Sequence, residues 1–201
     1  GNVPGEWYSP TQPIPSAPPP FCKQGVTQAD LVDWNPEIKA RALEIASHYQ
    51  LGGLYDPPPL VNDKIFGGLC MPGLQGGINW PGASYDPETH ILYLFAKNEI
   101  GVIGATHSAF EAGGAAERAA ARIGAAGRFG RGGPDGLTDP IRPGMISIEG
   151  IPLMKPPYGT ITAIDLSKGT LAWQIVHGET PDHIRNHRLL KGVNIPRTGQ
   201  T

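Results

Sequence analysis

The chain has 201 residues, enough for one ordinary domain with its own core. Gly (28) and Pro (22) make up about a quarter of it, yet 39% of positions are apolar and fall in compact runs between the Gly and Pro clusters, a pattern of short strands joined by loops rather than of a disordered chain. The net charge of −2 comes from 16 basic and 18 acidic residues spread along the sequence, which leaves no basic stripe for nucleic acid, and no apolar run is long enough for a membrane-spanning helix.

The start, Gly1-Asn2-Val3-Pro4-Gly5, is neither an initiator Met nor a signal peptide, so the chain is expected to be part of a longer protein. Residues 1–33 are Pro-rich and polar and read as an extended, surface-draped segment; Trp7, Tyr8 and Phe21 suggest that it packs on something. A helix follows. Asn35 is a favoured N-cap, Pro36 suits the first helical position, and Glu37 lies near the positive end of the dipole. Ile38, Ala42, Ile45 and Tyr49 recur at helical spacing up to Gly52-Gly53, giving an amphipathic helix to lie against a sheet.

From Leu69 onwards the pattern is that of strands. Residues 82–85 and 91–95, joined by Asp86-Pro87-Glu88-Thr89, read as strand, turn, strand. Residues 104–136 form an Ala/Gly/Arg-rich insert; its Ala-rich half, near 113–122, can form a short helix, and its Gly-rich half cannot hold regular structure. Residues 159–175 read as an outer hairpin turning at Ser167-Lys168-Gly169. Cys22 and Cys70 either pair or remain buried free thiols, and neither sits in a Cys-x-x-Cys-His run, so no c-type haem is attached here.

Two segments carry a family resemblance. Ala163-x-Asp165-x-x-x-Gly169-x-x-x-Trp173 resembles the tryptophan-docking motif of quinoprotein propellers, and Gly76-Gly77-Ile78-Asn79-Trp80 with Ala83-Ser84-Tyr85-Asp86-Pro87 resembles the signature beside their cofactor. Residues 5–13, Leu54-Tyr55-Asp56-Pro57-Pro58 and Lys155-Pro156-Pro157-Tyr158-Gly159 agree as well, and together they are most similar to the glucose-dehydrogenase-like branch of the dehydrogenases that use pyrroloquinoline quinone (PQQ). The resemblance covers most of residues 1–103 and 145–200. It implies an all-β fold, a partial eight-bladed β-propeller with one short α-helix and long loops, of which this chain supplies only a few blades and is inactive alone.

It also implies PQQ and calcium as cofactors, a sugar or alcohol as substrate, a quinone or cytochrome as electron acceptor, a periplasmic or other extracytoplasmic location, and membrane association only through parts outside this chain. On the residues, it implies that Trp80 stacks on the quinone beside Asn79, a core or blade-docking Trp being the other reading, and that Trp173 docks blades. Asn98, eighteen positions after Trp80, stands where the alcohol-oxidising branch has a calcium ligand, although Glu99 follows in place of the usual Pro; a plain strand-end Asn is the other reading. Lys155, or Met154 if the register shifts by one, stands where a lysine contacts the quinone, and a solvated surface Lys is the alternative. Asp182 and His183 are the candidate acceptors of the substrate proton, against a polar loop cluster that includes Asn186 and His187. A propeller kept as a non-catalytic scaffold would have no need of Gly-Gly-Ile-Asn-Trp80, which separates that reading from the enzyme.

Overall fold

The computed structural model describes residues 11, 13–53, 55–79, 82–105 and 146–200. Trp7, Tyr8, Trp80 and the Ala/Gly/Arg insert apart from residues 104 and 105 lie outside them.

The main sheet has four antiparallel strands in the order β3 (Ala83–Asp86), β4 (Ile91–Lys97), β8 (Gly159–Asp165) and β9 (Thr170–Val176). Both expected hairpins are present. The docking motif has a local cause: the Asp165 carboxylate accepts the N–H groups of Ser167 and Lys168 and the Lys168 ammonium, and Gly169 takes φ +65°, which closes the turn. Trp173 leans on Tyr93, ring centroids 5.9 Å apart, across Ala163, which pairs with both and is fully buried. A larger side chain at 163 would lift the indole off. Such a four-stranded antiparallel sheet is the unit from which a propeller is built. One is formed by the described residues, so the number of blades in the ring remains an expectation from the resemblance.

The Pro-rich segment runs along one face of this sheet. Ala17 lies against Gly169 at one end, the Phe21 carbonyl accepts from Gln174 Nε2 (2.8 Å) midway, and the Lys23 N–H donates to Asn98 at the other end. From Cys22 onwards the chain turns inward: Cys22, Val26, Leu31 and Val32 are buried, so the surface-draped reading holds for residues 13–20 and fails for much of 21–33.

Helix α1 (Pro36–Ala46) starts as expected, with the Asn35 side chain accepting from the Ile38 N–H at 2.8 Å. It ends earlier than Gly52-Gly53. Tyr49 leaves the helical run to begin β1 (Tyr49–Leu51), which pairs in parallel with β2 (Gly67–Cys70), itself antiparallel to β5 (Gly101–Ile103). A third, two-stranded ladder joins β6 (Ser147–Ile148) to β7 (Ile151–Pro152). The largest buried cluster lies among α1, β2, β5, this hairpin and the C-terminal stretch, with Ile38, Val32, Ile151, Leu153 and Ile184 almost fully enclosed. Cys22 is buried and Cys70 half-buried, both as free thiols, and burial raises both above the ordinary thiol value.

Candidate functional site at one end of the four-stranded sheet

Strand register brings three of the sequence-predicted residues, Asn79, Asn98 and Lys155, to one end of the main sheet. Ala83 pairs with Leu94, Lys97 with Gly159, and Thr160 with Val176. The start of β3, the end of β4, the start of β8 and the end of β9 therefore share one end of the sheet, and both tight turns occupy the other. The loop carrying Gly76–Asn79, the residue Asn98 and the segment Lys155–Tyr158 all attach at this shared end.

Hydrogen bonds lock them together. The Lys97 N–H donates to the Gly77 carbonyl at 2.8 Å, the Asn98 N–H to the Tyr158 carbonyl at 2.9 Å, and Asn98 Nδ2 to the Pro157 carbonyl at 2.9 Å. Asn98 Oδ1 accepts the Lys23 N–H at 3.2 Å. The second glycine of Gly76-Gly77 is required by space, because a Cβ at Gly77 would stand 2.7 Å from Cys22 Sγ. Asn79 is exposed; its carbonyl accepts the Gly82 N–H and its side chain donates to the Gln75 carbonyl, so it shapes the entry to β3.

Lys155 is held from two sides. Its ammonium meets Asp33 at 2.8 Å and the Ala29 carbonyl at 3.0 Å, and its N–H donates to the Asp30 carbonyl. Met154 is buried in the core and bridges to Leu31, so of the two positions only Lys155 offers a head group at the surface. Next to it, the Asp30 carboxylate receives the Lys23 ammonium, the Thr27 N–H and the Thr27 hydroxyl. Burial works against the charge on Asp30, but the hydrogen bonds from Lys23 and Thr27 outweigh it and hold the carboxyl below the ordinary 3.8. This Thr-x-x-Asp capping turn was legible in the sequence as a pattern and is the feature that fixes Lys155.

Asp182 and His183 do not lie on a loop, as the polar-cluster reading has it; they form the one-turn helix α2 (Asp182–Arg185), pinned by buried Ile184. They are tied to the same end of the sheet only indirectly. Arg185 donates to the Thr180 carbonyl, Thr180 Oγ1 accepts the Thr198 N–H, and the Thr198 carbonyl accepts the Tyr158 N–H. No described hydrogen bond or ion pair joins Asp182 or His183 to Asn98 or Lys155. The His187 ring is committed elsewhere: Nδ1 accepts the Leu189 N–H, leaving Nε2 to donate to the Glu149 carbonyl.

The chemistry of the donor set can be tested against the implied groups. A flat tricarboxylate quinone needs cations, and this end of the sheet supplies the ammonium groups of Lys23, Lys97 and Lys155, which suit its carboxylates; the Gly76 N–H is already given to the Gly73 carbonyl, and the aromatic floor assigned to Trp80 lies beyond the described residues. Calcium is a different case. A hard dication takes six to eight oxygens. Among the described residues no three His, Cys, Asp or Glu side chains gather in a metal-binding group, and Asn98 offers one amide oxygen that already accepts a backbone N–H. The described residues do not make a calcium site by themselves.

Residues 1–201 match the family model described as PQQ: glucose/ethanol/alcohol dehydrogenase, β-propeller domain. The chain belongs to the quinoprotein dehydrogenase propeller family. Relatives of this quinoprotein chain include a protein named "Probable quinate dehydrogenase (quinone)" from Xanthomonas campestris pv. juglandis, 30% identical over 186 residues, covering 90% of this chain and 22% of that protein. The quinate/shikimate dehydrogenase (quinone) of Acinetobacter baylyi is 31% identical over 188 residues, with 90% and 22% covered. The glycerol dehydrogenase large subunit of Gluconobacter oxydans is 28% identical over 193 residues, with 87% and 24% covered. The quinoprotein chain thus spans less than a quarter of the length of these curated relatives. No solved structure matches it.

Sequence reasoning missed Lys97, Asp30, Asp33 and Glu149. Lys97 and Asp33 carry no motif of their own, and Asp30 is marked only by the Thr-x-x-Asp pattern of its turn. Glu149 had a signal, since Glu149-Gly150 lies between two short apolar runs in the manner of a two-residue hairpin turn.

Proposed function

We propose that this chain forms one wall of the cofactor site in a PQQ-dependent dehydrogenase that oxidises a hydroxyl of a sugar or other polyol and passes the electrons to a quinone or cytochrome acceptor. The observation that carries the reading is the convergence, at one end of one sheet, of the Gly76–Asn79 loop, Asn98 and Lys155, the positions that the resemblance assigns to the cofactor site. The relatives named for quinate, shikimate and glycerol favour a polyhydroxylated alcohol over glucose in particular.

When bound, the quinone accepts the two electrons of the alcohol oxidation. The residues of this chain would hold and orient it: Trp80 as aromatic floor, Asn79 shaping the loop below it, and Lys155, aimed by Asp33 and the Ala29 carbonyl, stabilising negative charge at the quinone oxygens. The Asp182 carboxylate or the His183 imidazole would take the substrate hydroxyl proton. Calcium belongs to the same proposal with Asn98 as one ligand, its other oxygens coming from elsewhere in the full-length protein. In that protein the chain contributes to an eight-bladed ring in which a neighbouring blade covers the half-exposed Trp173, and the enzyme works outside the cytoplasm, with any membrane attachment made by other parts.

The test is dye reduction by the full-length protein loaded with PQQ and calcium. Glycerol, quinate and glucose are offered in parallel, with residues 1–201 alone as a second sample. Turnover of at least one of these substrates by the full-length protein, and none by the segment, is expected. Tight quinone binding by the full-length protein without turnover of any hydroxylated substrate would sink the enzymatic reading and favour a scaffold.

A further inference from the structure

Three lysines stand at the cofactor end of the sheet, and they are not alike. Lys23 is neutralised by Asp30 and Lys155 by Asp33, each through a direct ion pair. Lys97 has no acidic partner among the described residues. It is the last residue of β4, half-buried, paired across the ladder with Gly159, and its N–H holds the Gly77 carbonyl of the Gly-Gly-Ile-Asn loop. Strand alternation sets Lys97 on the face of Phe95 and Tyr93, opposite the face that the Pro-rich segment covers through Asn98 and Gln174. An ammonium half-removed from water and without a counter-charge is costly to keep beside two already balanced pairs, and it becomes favourable when an anion arrives.

We infer that Lys97 is a binding residue for the quinone and takes one of its carboxylates. This rests on the reading of the site given above, because it presumes that the Gly76–Trp80 loop lies against the cofactor. The division of labour is then chemical. Lys155, held by Asp33 and the Ala29 carbonyl, is a fixed donor of restricted direction, whereas Lys97 supplies the net positive charge that an anionic ligand needs. The backbone bond to Gly77 couples the lysine to the loop, so both move together if the sheet end shifts.

The experiment is an equilibrium titration of the full-length apoprotein with PQQ, followed by quenching of tryptophan fluorescence at low and at high salt. The unmutated protein is compared with Lys97→Ala, Lys97→Gln and Lys97→Arg, and the thermal midpoint of each apoprotein is recorded. Ala and Gln are expected to weaken binding about tenfold, the order of one charge-assisted hydrogen bond, and to flatten the salt dependence, while Arg stays within about threefold of the unmutated protein. The thermal midpoint should hold or rise and should not fall, since the lysine has no partner in the described protein to lose and its removal relieves a desolvation cost. If the unmutated protein binds PQQ and both Ala and Gln bind it equally well, the role of Lys97 is overturned while the cofactor site stands. If the unmutated protein binds no PQQ at all, the site reading itself falls and this inference with it. Weakening in Ala and Gln that Arg fails to restore would also overturn it, because charge would not be what the position supplies.

Discussion

Asn98 and Pro157, 59 residues apart along the chain, are joined by a 2.9 Å hydrogen bond from the Asn98 carboxamide to the Pro157 carbonyl. The same side chain accepts the Lys23 N–H, so one residue ties the end of β4, the start of β8 and the incoming Pro-rich segment. Whatever lies between β4 and β8, the two strands reach this end of the sheet in fixed register.

Asn98→Ala should therefore destabilise the full-length protein by about 2 kcal/mol, because it leaves a half-buried carbonyl and an N–H without partners. Asn98→Asp keeps the acceptor for Lys23 and loses the donor to Pro157, and an intermediate loss is expected. Urea unfolding with matched slopes checks both. A loss below about 0.5 kcal/mol for Ala would show that the tie is not needed.

The Asp30 carboxyl gives the site a pH dependence of known sign. Its folded value lies below the ordinary 3.8, so its contribution is complete above that value and is lost as pH falls through the lower folded value. Asp30→Asn should cost about 1–2 kcal/mol near neutral pH, and the difference from the unmutated protein should shrink as the pH falls below the ordinary 3.8. Unfolding midpoints measured across the acid range test this; a gap that widens on acidification has the wrong sign.

Glu149 adopts φ 55° at the tip of the β6–β7 hairpin while its carboxylate meets Arg41 and Arg188. These arginines lie on α1 and beside α2, and together they hold the carboxyl below its ordinary value, with Arg41 contributing most. Glu149→Ala loses the ion pairs and keeps the left-handed backbone; Glu149→Gly loses the pairs and relieves it. Gly should therefore be more stable than Ala by about 1 kcal/mol. Thermal unfolding of the pair decides the matter, and the reverse order would mean that backbone strain is not significant there.

Tyr158 is 3% exposed, and neither its hydroxyl nor the Thr160 hydroxyl two residues on finds a hydrogen-bond partner among the described residues. Burial pushes the phenol well above its ordinary value. Removing an unpartnered buried hydroxyl relieves a desolvation cost, so Tyr158→Phe in the apoprotein should leave stability unchanged or raise it by up to about 1 kcal/mol. A loss of more than 1 kcal/mol would place an unrecognised partner on that oxygen.

What could be read from the sequence followed from local chemistry. Asp86-Pro87-Glu88-Thr89 and Ser167-Lys168-Gly169 are turn sequences between apolar runs, and both hairpins formed where they stand. Asn35-Pro36 fixed the helix start for the same reason. The helix end was misread because Tyr49 continues the 3.6-residue spacing, and only the parallel pairing with Gly67, across a Pro-rich loop, takes it into a strand. The candidate residues Asn79, Asn98 and Lys155 were found by motif, but their convergence depends on a register between strands separated by the insert. The partners of Lys155 were beyond reach, since Asp33 is more than a hundred residues away in the chain.

The most direct measurement is PQQ affinity of the full-length apoprotein with and without Trp80. Trp80→Ala should weaken quinone binding by about fivefold to a hundredfold, in line with about 1–3 kcal/mol for stacking of a planar ring on an indole, with the fold retained by circular dichroism. Equal affinity in the two proteins would contradict a quinone seated at this end of the sheet.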